Sequence, residues 1–296
     1  MHYLVTGGTG FIGRALCREL LRRGQVTVLT RSRRRAGQVL RPEVGTIESL
    51  DELSGLPPQA VINLAGESLA STRWSTERKA ELRASRIDTT RELVRWMGTL
   101  KERPSVLVSA SAIGYYGARG DEELREDSSP GQEFQADLCR EWERAAHEAD
   151  ALGIRVCCMR FGIVLGRDGG ALARMLPPFR FAMGGPMGGG TQWMSWIHRD
   201  DLVGAIQWAL ARPGASGAYN TTAPTPVTNG EFTRVLGAVM HRPARLKMPA
   251  LALQVLFGEM SRLLLSGQRV LPTRLQESGF IFRQPDLRGA LEHLLS

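Results

Sequence analysis

The chain has 296 residues, 43% of them hydrophobic and 23% charged, proportions of an ordinary globular protein rather than of a disordered or fibrous one. No apolar run reaches the roughly 18 residues that a spanning helix needs, and Met1-His2-Tyr3-Leu4-Val5 lacks the pattern of a secretory leader, so a cytoplasmic protein with no membrane partner is expected. The formal charge of +8 is spread along the chain and interleaved with acids, as in Arg140-Glu141-Trp142-Glu143-Arg144, which reads as a solvated surface and not as a nucleic-acid stripe.

In chain order, residues 3–6 read as a strand and residues 7–13 as a glycine-rich turn. Residues 12–23 have helical spacing, apolar at Ala15, Leu16, Leu20 and Leu21, with Gly24 closing the helix. Further strands are expected at 26–29, 60–64, 105–109 and 155–161, and further helices at 76–97, 135–152 and 201–211. Repeated β-α units of this length predict an α/β Rossmann fold, a doubly wound parallel sheet covered by helices on both faces. Residues 184–190 are a glycine-rich, flexible loop. After about Pro224 the chain turns mainly helical, at 229–240, 249–265, 272–277 and 285–295. The proline and glycine punctuation near 213–226 suggests a boundary. Residues 1–225 are therefore expected to form the nucleotide-binding domain, with loop 166–196 contributing to a substrate cleft. Residues 226–296 would form a smaller helical C-terminal subdomain. Cys17, Cys139, Cys157 and Cys158 have the spacing of neither a zinc site nor a disulfide framework. No metal site is expected, and a reducing compartment is.

The turn Gly7-Gly8-Thr9-Gly10-Phe11-Ile12-Gly13 matches both G-x-G-x-x-G and G-x-x-G-x-x-G, and it follows a strand and opens a helix, the context that gives the pattern weight. Its glycines permit a tight turn and close approach of backbone to a pyrophosphate, while Gly13 lets helix and strand pack closely. The freed amides and the positive end of the helix dipole then face the phosphates. Gly7, Thr9, Gly10, Phe11, Ile12 and Gly13 are candidate cofactor-binding residues. Cofactor choice is read at the end of the second strand, where an acid would bond the ribose 2′-hydroxyl of NAD. Here Val28-Leu29-Thr30-Arg31-Ser32-Arg33 contains none. Arg31 can clamp a 2′-phosphate through paired charge-assisted bonds, so Thr30 and Arg31 join the candidates and NADP(H) is favoured. Arg33, Arg34 and Arg35 either help or are solvated.

On these residues the chain resembles the extended short-chain dehydrogenase/reductase family. Thr6-Gly7-Gly8-Thr9-Gly10-Phe11-Ile12-Gly13 looks like its signature, Asn63-Leu64-Ala65-Gly66 like its fourth-strand segment, and Trp196-Ile197-His198-Arg199-Asp200-Asp201-Leu202 like a late conserved segment of that family. More narrowly the chain is similar to an atypical, nucleoside-diphosphate-sugar epimerase-like branch with an uncharacterised C-terminal helical domain. Asn63 to Glu67, Gly184 to Trp193 and Gly267 to Pro272 carry that match. The resemblance implies that Leu64 and Ala65 lie against the adenosine half, that Glu81 and Arg86 stand near the cofactor, and that Val164 sits near the nicotinamide. The alternatives are a surface ion pair for Glu81 and Arg86 and core packing for Val164.

Typical members use a Tyr-x-x-x-Lys pair on one helix face, where the lysine charge tunes the phenol for proton exchange. The four tyrosines, Tyr3, Tyr115, Tyr116 and Tyr219, have Gly7, Arg119, Gly120 and Ala223 four residues on, so the pair is absent. Alignment on Trp142-Glu143 puts Gln135 and Cys139 in its place. Ser111 and Tyr116, after the fifth strand where the family places a serine and a substrate-facing tyrosine, are the candidate catalytic residues. Backbone capping and ring packing are the alternatives. Gln192, Trp193, Ser195 and Trp196 can line a pocket or belong to the core. His198 reads as structural, held by Asp200 or Asp201. The resulting expectation is an NADP(H)-dependent oxidoreductase or epimerase acting on an unknown small molecule, with a non-catalytic NADP(H) redox sensor as the alternative. Both a monomer and a homodimer remain open.

Overall fold

The computed structural model describes residues 1–53, 55 and 57–296. β1 (His2–Thr6), α1 (Phe11–Leu20), β2 (Gln25–Leu29), α2 (Arg33–Val39), β3 (Gly45–Ile47) and β4 (Ala60–Asn63) open the chain. α3 (Thr76–Arg83) passes through one π turn, Ala84–Asp88, into α4 (Thr89–Thr99). The long helix expected at 76–97 is thus one rod with a bulge at Arg86. β5 (Val106–Ala112), the short β6 (Glu123–Leu124), α5 (Phe134–His147) and β7 (Arg155–Phe161) follow. Next come β8 (Ile163–Gly166), α6 (Gly170–Arg180), β9 (Trp193–Met194), β10 (Trp196–His198), α7 (Arg199–Ala211), β11 (Gly217–Thr221) and β12 (Val227–Thr228). The C-terminal stretch holds α8 (Asn229–Val239), α9 (Ala250–Phe257), α10 (Arg262–Leu265), β13 (Arg269–Val270), α11 (Thr273–Glu277) and α12 (Leu287–Leu295).

Seven strands pair in parallel in the order β11-β7-β5-β4-β1-β2-β3. β1 and β4 are buried at every position, as parallel strands covered on both faces must be. The chain leaves β1 toward β3 and later returns to β4 on the other side, so the order reverses between β1 and β4. A crevice opens outside the carboxyl ends of the strands at such a point. The glycine-rich turn is at that position.

Beyond the five expected strands the main sheet holds two more, one at each edge: β3, and β11 in the stretch 213–226 that reads as a boundary. Gly217 has φ +76° and Asn220 is a poor strand former, so β11 is specified by its neighbour β7 rather than by its own composition.

The core on one side of the sheet joins Leu16, Leu20, Val26, Val28 and Ile62 to Leu202 and Ile206 of α7. A second core lies away from it. Phe179, Met194 and Trp196 pack there with Phe232 and Leu236 of α8 and Leu291 and Leu294 of α12. The C-terminal helices α8 and α12 therefore pack on each other and complete their hydrophobic face on residues from 165–196. β13 also pairs with β6, in parallel. Among the described residues no helix is long and apolar enough to cross a membrane, and no group of three His, Cys, Asp or Glu side chains is placed to hold a metal.

Candidate functional site

The floor of the crevice is a chain of buried polar side chains. Thr6 donates to Asn63 Oδ1 at 2.6 Å, and Asn63 Nδ2 donates to Thr90 Oγ1 at 2.7 Å. Trp142 Nε1 donates to the same threonine at 3.0 Å. These bonds tie β1 and β4 to α4 and α5, and they satisfy groups that would otherwise be costly to bury. Ala65 N donates to Thr6 Oγ1 at 3.2 Å, which sets the loop after β4 against the turn after β1.

Two glycines of the turn are required by geometry. Gly7 has φ +68°, and a Cβ on it would stand 2.4 Å from the Leu64 carbonyl oxygen. A Cβ on Gly13 would stand 2.3 Å from the carbonyl oxygen of Gly7. Both positions lie under the distance that real Cβ contacts tolerate, so turn, loop and helix approach as closely as a pyrophosphate cradle needs. The Phe11 ring turns the other way, where Gly166, Gly169 and Gly170 make room for it. Arg199 stacks over it with Cζ 5.4 Å from the ring centre. The start of α1, at Phe11, is left facing the crevice through its backbone. Ile12 and Leu64 are half-buried on the main core, and Thr9 is partly exposed on the turn.

At the end of β2, Thr30 Oγ1 accepts from Ser32 N at 3.3 Å. Ser32 caps α2, its hydroxyl accepting from Arg35 N. The arginine run separates by partner. Arg33 N donates to Glu48 and its guanidinium pairs with Glu52. Arg31 extends outward with 90% of its side chain exposed and meets the Glu67 carboxylate at 3.0 Å.

Glu81 and Arg86 are not paired with each other. Glu81 lies on the surface and binds Arg78 at 2.8 Å. Arg86 is buried at the π turn, beneath the loop after β4. Its Nη2 donates to the Glu67 carbonyl at 2.7 Å, and its guanidinium lies over the Trp142 ring. A Cβ on Gly66 would come within 3.0 Å of the Arg86 guanidinium carbon. Burial pulls the Arg86 guanidinium below its ordinary value. Arg86 therefore supports the loop from below. Val164 stands on β8, half-buried against the main core and paired with Ile197.

The helix face that carries Tyr and Lys in typical members holds Gln135 and Cys139. Both are buried under Gly114, whose Cβ would touch Gln135 Cγ at 3.4 Å and Cys139 Sγ at 3.9 Å. Burial pushes the Cys139 thiol up to about 12, so it carries no charge near neutral pH. One turn further along the same face stands Glu143, the hub of a buried network that the sequence reading did not find. Arg160, on β7, grips Glu143 with two bonds of 2.8 and 2.9 Å. Ser111 donates to Glu143 at 2.6 Å. Arg160 also donates to Tyr116 Oη at 2.8 Å and to the Glu126 carbonyl at 3.0 Å, and its guanidinium carbon lies 3.5 Å from the Tyr115 ring centre. Burial alone would lower the Arg160 guanidinium, but the Glu143 carboxylate reverses this and holds it raised. The available signal was a charge inside the apolar run Val156-Cys157-Cys158-Met159-Arg160, since arginine is almost never fully buried without a partner.

The network bears on both candidate catalytic hydroxyls. Tyr116 is fully buried, donates to Asn220 Oδ1 at 2.6 Å and accepts from Arg160. Burial pushes its phenol up to about 12 against the opposing pull of Arg160. As a proton donor to a substrate Tyr116 is poorly placed, because its proton is committed and no solvent reaches it. Ser111 is also buried, but with its proton given to Glu143 it keeps lone pairs to accept with.

The tryptophan segment ties the C-terminal stretch down. Ser195 Oγ donates to the Gln268 carbonyl at 2.7 Å and accepts from Val270 N at 2.8 Å. Gln192 donates to the Leu264 carbonyl at 2.8 Å, and Trp193 Nε1 donates to Asp121 at 2.7 Å. Trp196 is fully buried in the second core, so it is a packing residue.

His198 is structural, though not held by a carboxylate. Its Nδ1 accepts from Asp200 N at 3.1 Å and caps α7. Nε2 must then carry the proton, and it faces His293 Nδ1 of α12 at 3.1 Å. Burial lowers the His198 value, against the pull of Asp200 and Asp201 and with help from His293. A histidine lowered on folding stabilises the fold above its unfolded value of about 6.5, and that stability is lost as pH falls from there toward the folded value. Urea midpoints of the parent chain are therefore expected to drop as pH falls below about 6.5, by about 1.4 kcal/mol per unit of depression. His198→Asn, which keeps a capping oxygen, is expected to flatten the profile there. An unchanged slope in that variant would refute the assignment.

Residues 3–222 match the model of the NAD dependent epimerase/dehydratase family, and residues 248–294 match that of a domain of unknown function, DUF1731. The chain is 44% identical over 299 aligned residues, 98% of its length and 86% of the relative's, to an Arabidopsis thaliana protein named epimerase family protein SDR39U1 homolog, chloroplastic. It is 39% identical to the Bacillus subtilis epimerase family protein YfhF, covering 100% of this chain and 98% of that one. Among solved structures, the human epimerase family protein SDR39U1 (isoform 2), crystallised with NADPH, superposes with a TM-score of 0.91 at 37% identity, covering 99% of both chains.

Proposed function

The chain belongs to the NAD dependent epimerase/dehydratase family, and from that premise we propose that it binds NADP(H) and exchanges hydride with an unidentified small-molecule alcohol or carbonyl compound. The observation that carries the cofactor reading is the pairing of two features at the switch point. The turn closes so tightly that a Cβ would clash with Leu64 at Gly7 and with Gly7 at Gly13, and Arg31 stands exposed just past the end of β2, in a segment, Val28 to Arg33, that itself carries no acid. The human relative crystallised with NADPH supports the same choice.

In this reading the amides at the start of α1 and the turn before it hold the pyrophosphate, Arg31 meets the 2′-phosphate, and Leu64 and Ala65 flank the adenosine. Arg86 acts from beneath, by holding the loop that carries them, and Glu81 contributes at the outer rim. Val164 stands toward the nicotinamide end. The nicotinamide supplies hydride chemistry when bound. Ser111 accepts a hydrogen bond from the hydroxyl of the alcohol form of the substrate, with its own proton fixed on Glu143. Tyr116 braces Arg160 and exchanges no proton, so the proton that accompanies hydride moves to or from water. Residues 1–225 carry the nucleotide site, and the helical stretch 226–296 closes the substrate side together with loop 166–196. The four free, buried cysteines fit a reducing compartment such as the cytoplasm. A non-catalytic sensor rests only on the missing Tyr-Lys pair, and the family membership weighs for chemistry.

The test has two arms. Calorimetric titration is expected to show NADPH binding at least about tenfold more tightly than NADH, the value of one good charge-assisted contact. Deuterium at the nicotinamide C4 is expected to pass to a carbonyl compound from a chemically varied panel. Equal affinity for the two cofactors overturns the NADP(H) assignment. Tight binding without label transfer to any compound favours the sensor.

A further inference from the structure

The positive charge at the end of β2 does not stand alone. Facing it is Glu67, a carboxylate delivered from the loop after β4. Its backbone is fixed on both sides, since Glu67 N donates to Ser85 Oγ at 3.1 Å and its carbonyl accepts from Arg86 at 2.7 Å. Oε1 lies 3.0 Å from Arg31, and Oε2 lies 3.9 Å from Arg78. The Glu67 side chain is 34% exposed, while that of Arg31 is 90% exposed. The carboxylate is thus anchored and the guanidinium is the movable partner.

We propose that Glu67 is a specificity-determining residue that limits how strongly this site prefers a 2′-phosphorylated dinucleotide over its 2′-hydroxyl counterpart. This rests on the NADP(H) reading of the site. A 2′-phosphate that engages Arg31 has to displace Glu67 from it and then bear the repulsion of a carboxylate that the Ser85 and Arg86 bonds keep nearby. A 2′-hydroxyl meets no such repulsion, and it can donate to a carboxylate in the way that an acid at the end of β2 would accept. Glu67 therefore acts on the two cofactors with opposite sign. Arg78 draws part of its charge away, and it is itself held by Glu81 at 2.8 Å and by the Ser68 carbonyl at 2.9 Å.

The test is titration of the full chain and of Glu67→Gln with NADPH and with NADH at low and high salt. Glu67→Gln keeps the size and hydrogen-bonding capacity of the side chain and removes its charge. The expected result is an increase in NADPH affinity of about threefold to tenfold, the scale of a half-exposed charge acting on a phosphate, with NADH unchanged or weakened. The gain should shrink as salt screens it. Glu67→Asp, which restores the charge, should return the ratio toward that of the parent. If Glu67→Gln weakens NADPH, or shifts both cofactors equally, Glu67 only orients Arg31 or supports the loop, and the assignment is overturned. If the parent chain itself binds NADPH no better than NADH, the cofactor reading fails first and the Glu67 proposal falls with it. A parent preference for NADPH that Glu67→Gln leaves unchanged overturns the Glu67 proposal alone.

Discussion

An Arg160→Met variant is expected to lose about 3–5 kcal/mol of folding stability, the scale observed when one partner of a buried ion pair is removed. Arg160 and Glu143 are both buried and meet through two bonds of 2.8 and 2.9 Å. Without the guanidinium, Glu143 retains, among the described residues, the Ser111 hydroxyl at 2.6 Å as its side-chain donor, and the Tyr116 oxygen and the Glu126 carbonyl each lose one. Desolvation of an uncompensated carboxylate dominates the loss. Ser111→Ala removes one neutral donor from an otherwise paired carboxylate and should cost about 1 kcal/mol. The double variant Arg160→Met/Glu143→Leu is expected to recover much of the loss, because apolar replacement of a whole buried pair is often near neutral. Urea denaturation followed by circular dichroism measures all three. A loss below about 1 kcal/mol in Arg160→Met, or a double variant no better than the single, would contradict the buried-pair account.

The same network shows where sequence reading reaches its limit. The strands of the sheet centre were legible because a parallel strand covered on both faces must be a run of apolar residues, as Ala60-Val61-Ile62 is. The crevice was legible because the spacing of Gly7, Gly10 and Gly13 encodes a steric demand that the structure then displays as Cβ distances under 3.0 Å at Gly7 and Gly13. The missing Tyr-Lys pair was legible because four tyrosines can be checked one by one. The buried network one turn further along that helix face was not. Glu143 and Arg160 lie on different elements, and only the packing of α5 on β7 joins them. Arg31 and Glu67 are likewise brought together by the strand order β4-β1-β2 and by the hold of Arg86 on the loop. Local periodicity reports which face a residue takes, whereas charge partners depend on which elements become neighbours. β11 was hidden for the opposite reason, since an edge strand with glycine and asparagine carries little local signal of its own.

An Arg31→Ala variant is expected to weaken NADPH by about 10- to 100-fold, the equivalent of roughly 1.5–3 kcal/mol for hydrogen bonds to a charged group, while NADH changes by less than about threefold. The asymmetry follows from position. The exposed guanidinium of Arg31 makes no contact on which the fold depends, so its removal should leave the urea midpoint within about 0.5 kcal/mol of the parent. It lies two residues past the end of β2, where the fold reads the 2′ substituent. Its neighbours cannot easily stand in. Arg33 is held by Glu48 and Glu52, while Arg34 and Arg35 project from the first turn of α2 into solvent. Arg31→Lys keeps the charge but loses the fork that matches a phosphate, and its NADPH affinity should fall between those of the parent and Arg31→Ala. Higher salt should narrow all these differences, because the contact is exposed. Should Arg31→Ala weaken NADPH and NADH to the same degree, Arg31 would be acting through the shape of the loop and not on the 2′-phosphate. Should Arg34→Ala instead carry the selective loss, the clamp would belong to the first turn of α2, and the ion pair between Arg31 and Glu67 would be a surface contact without influence on cofactor choice.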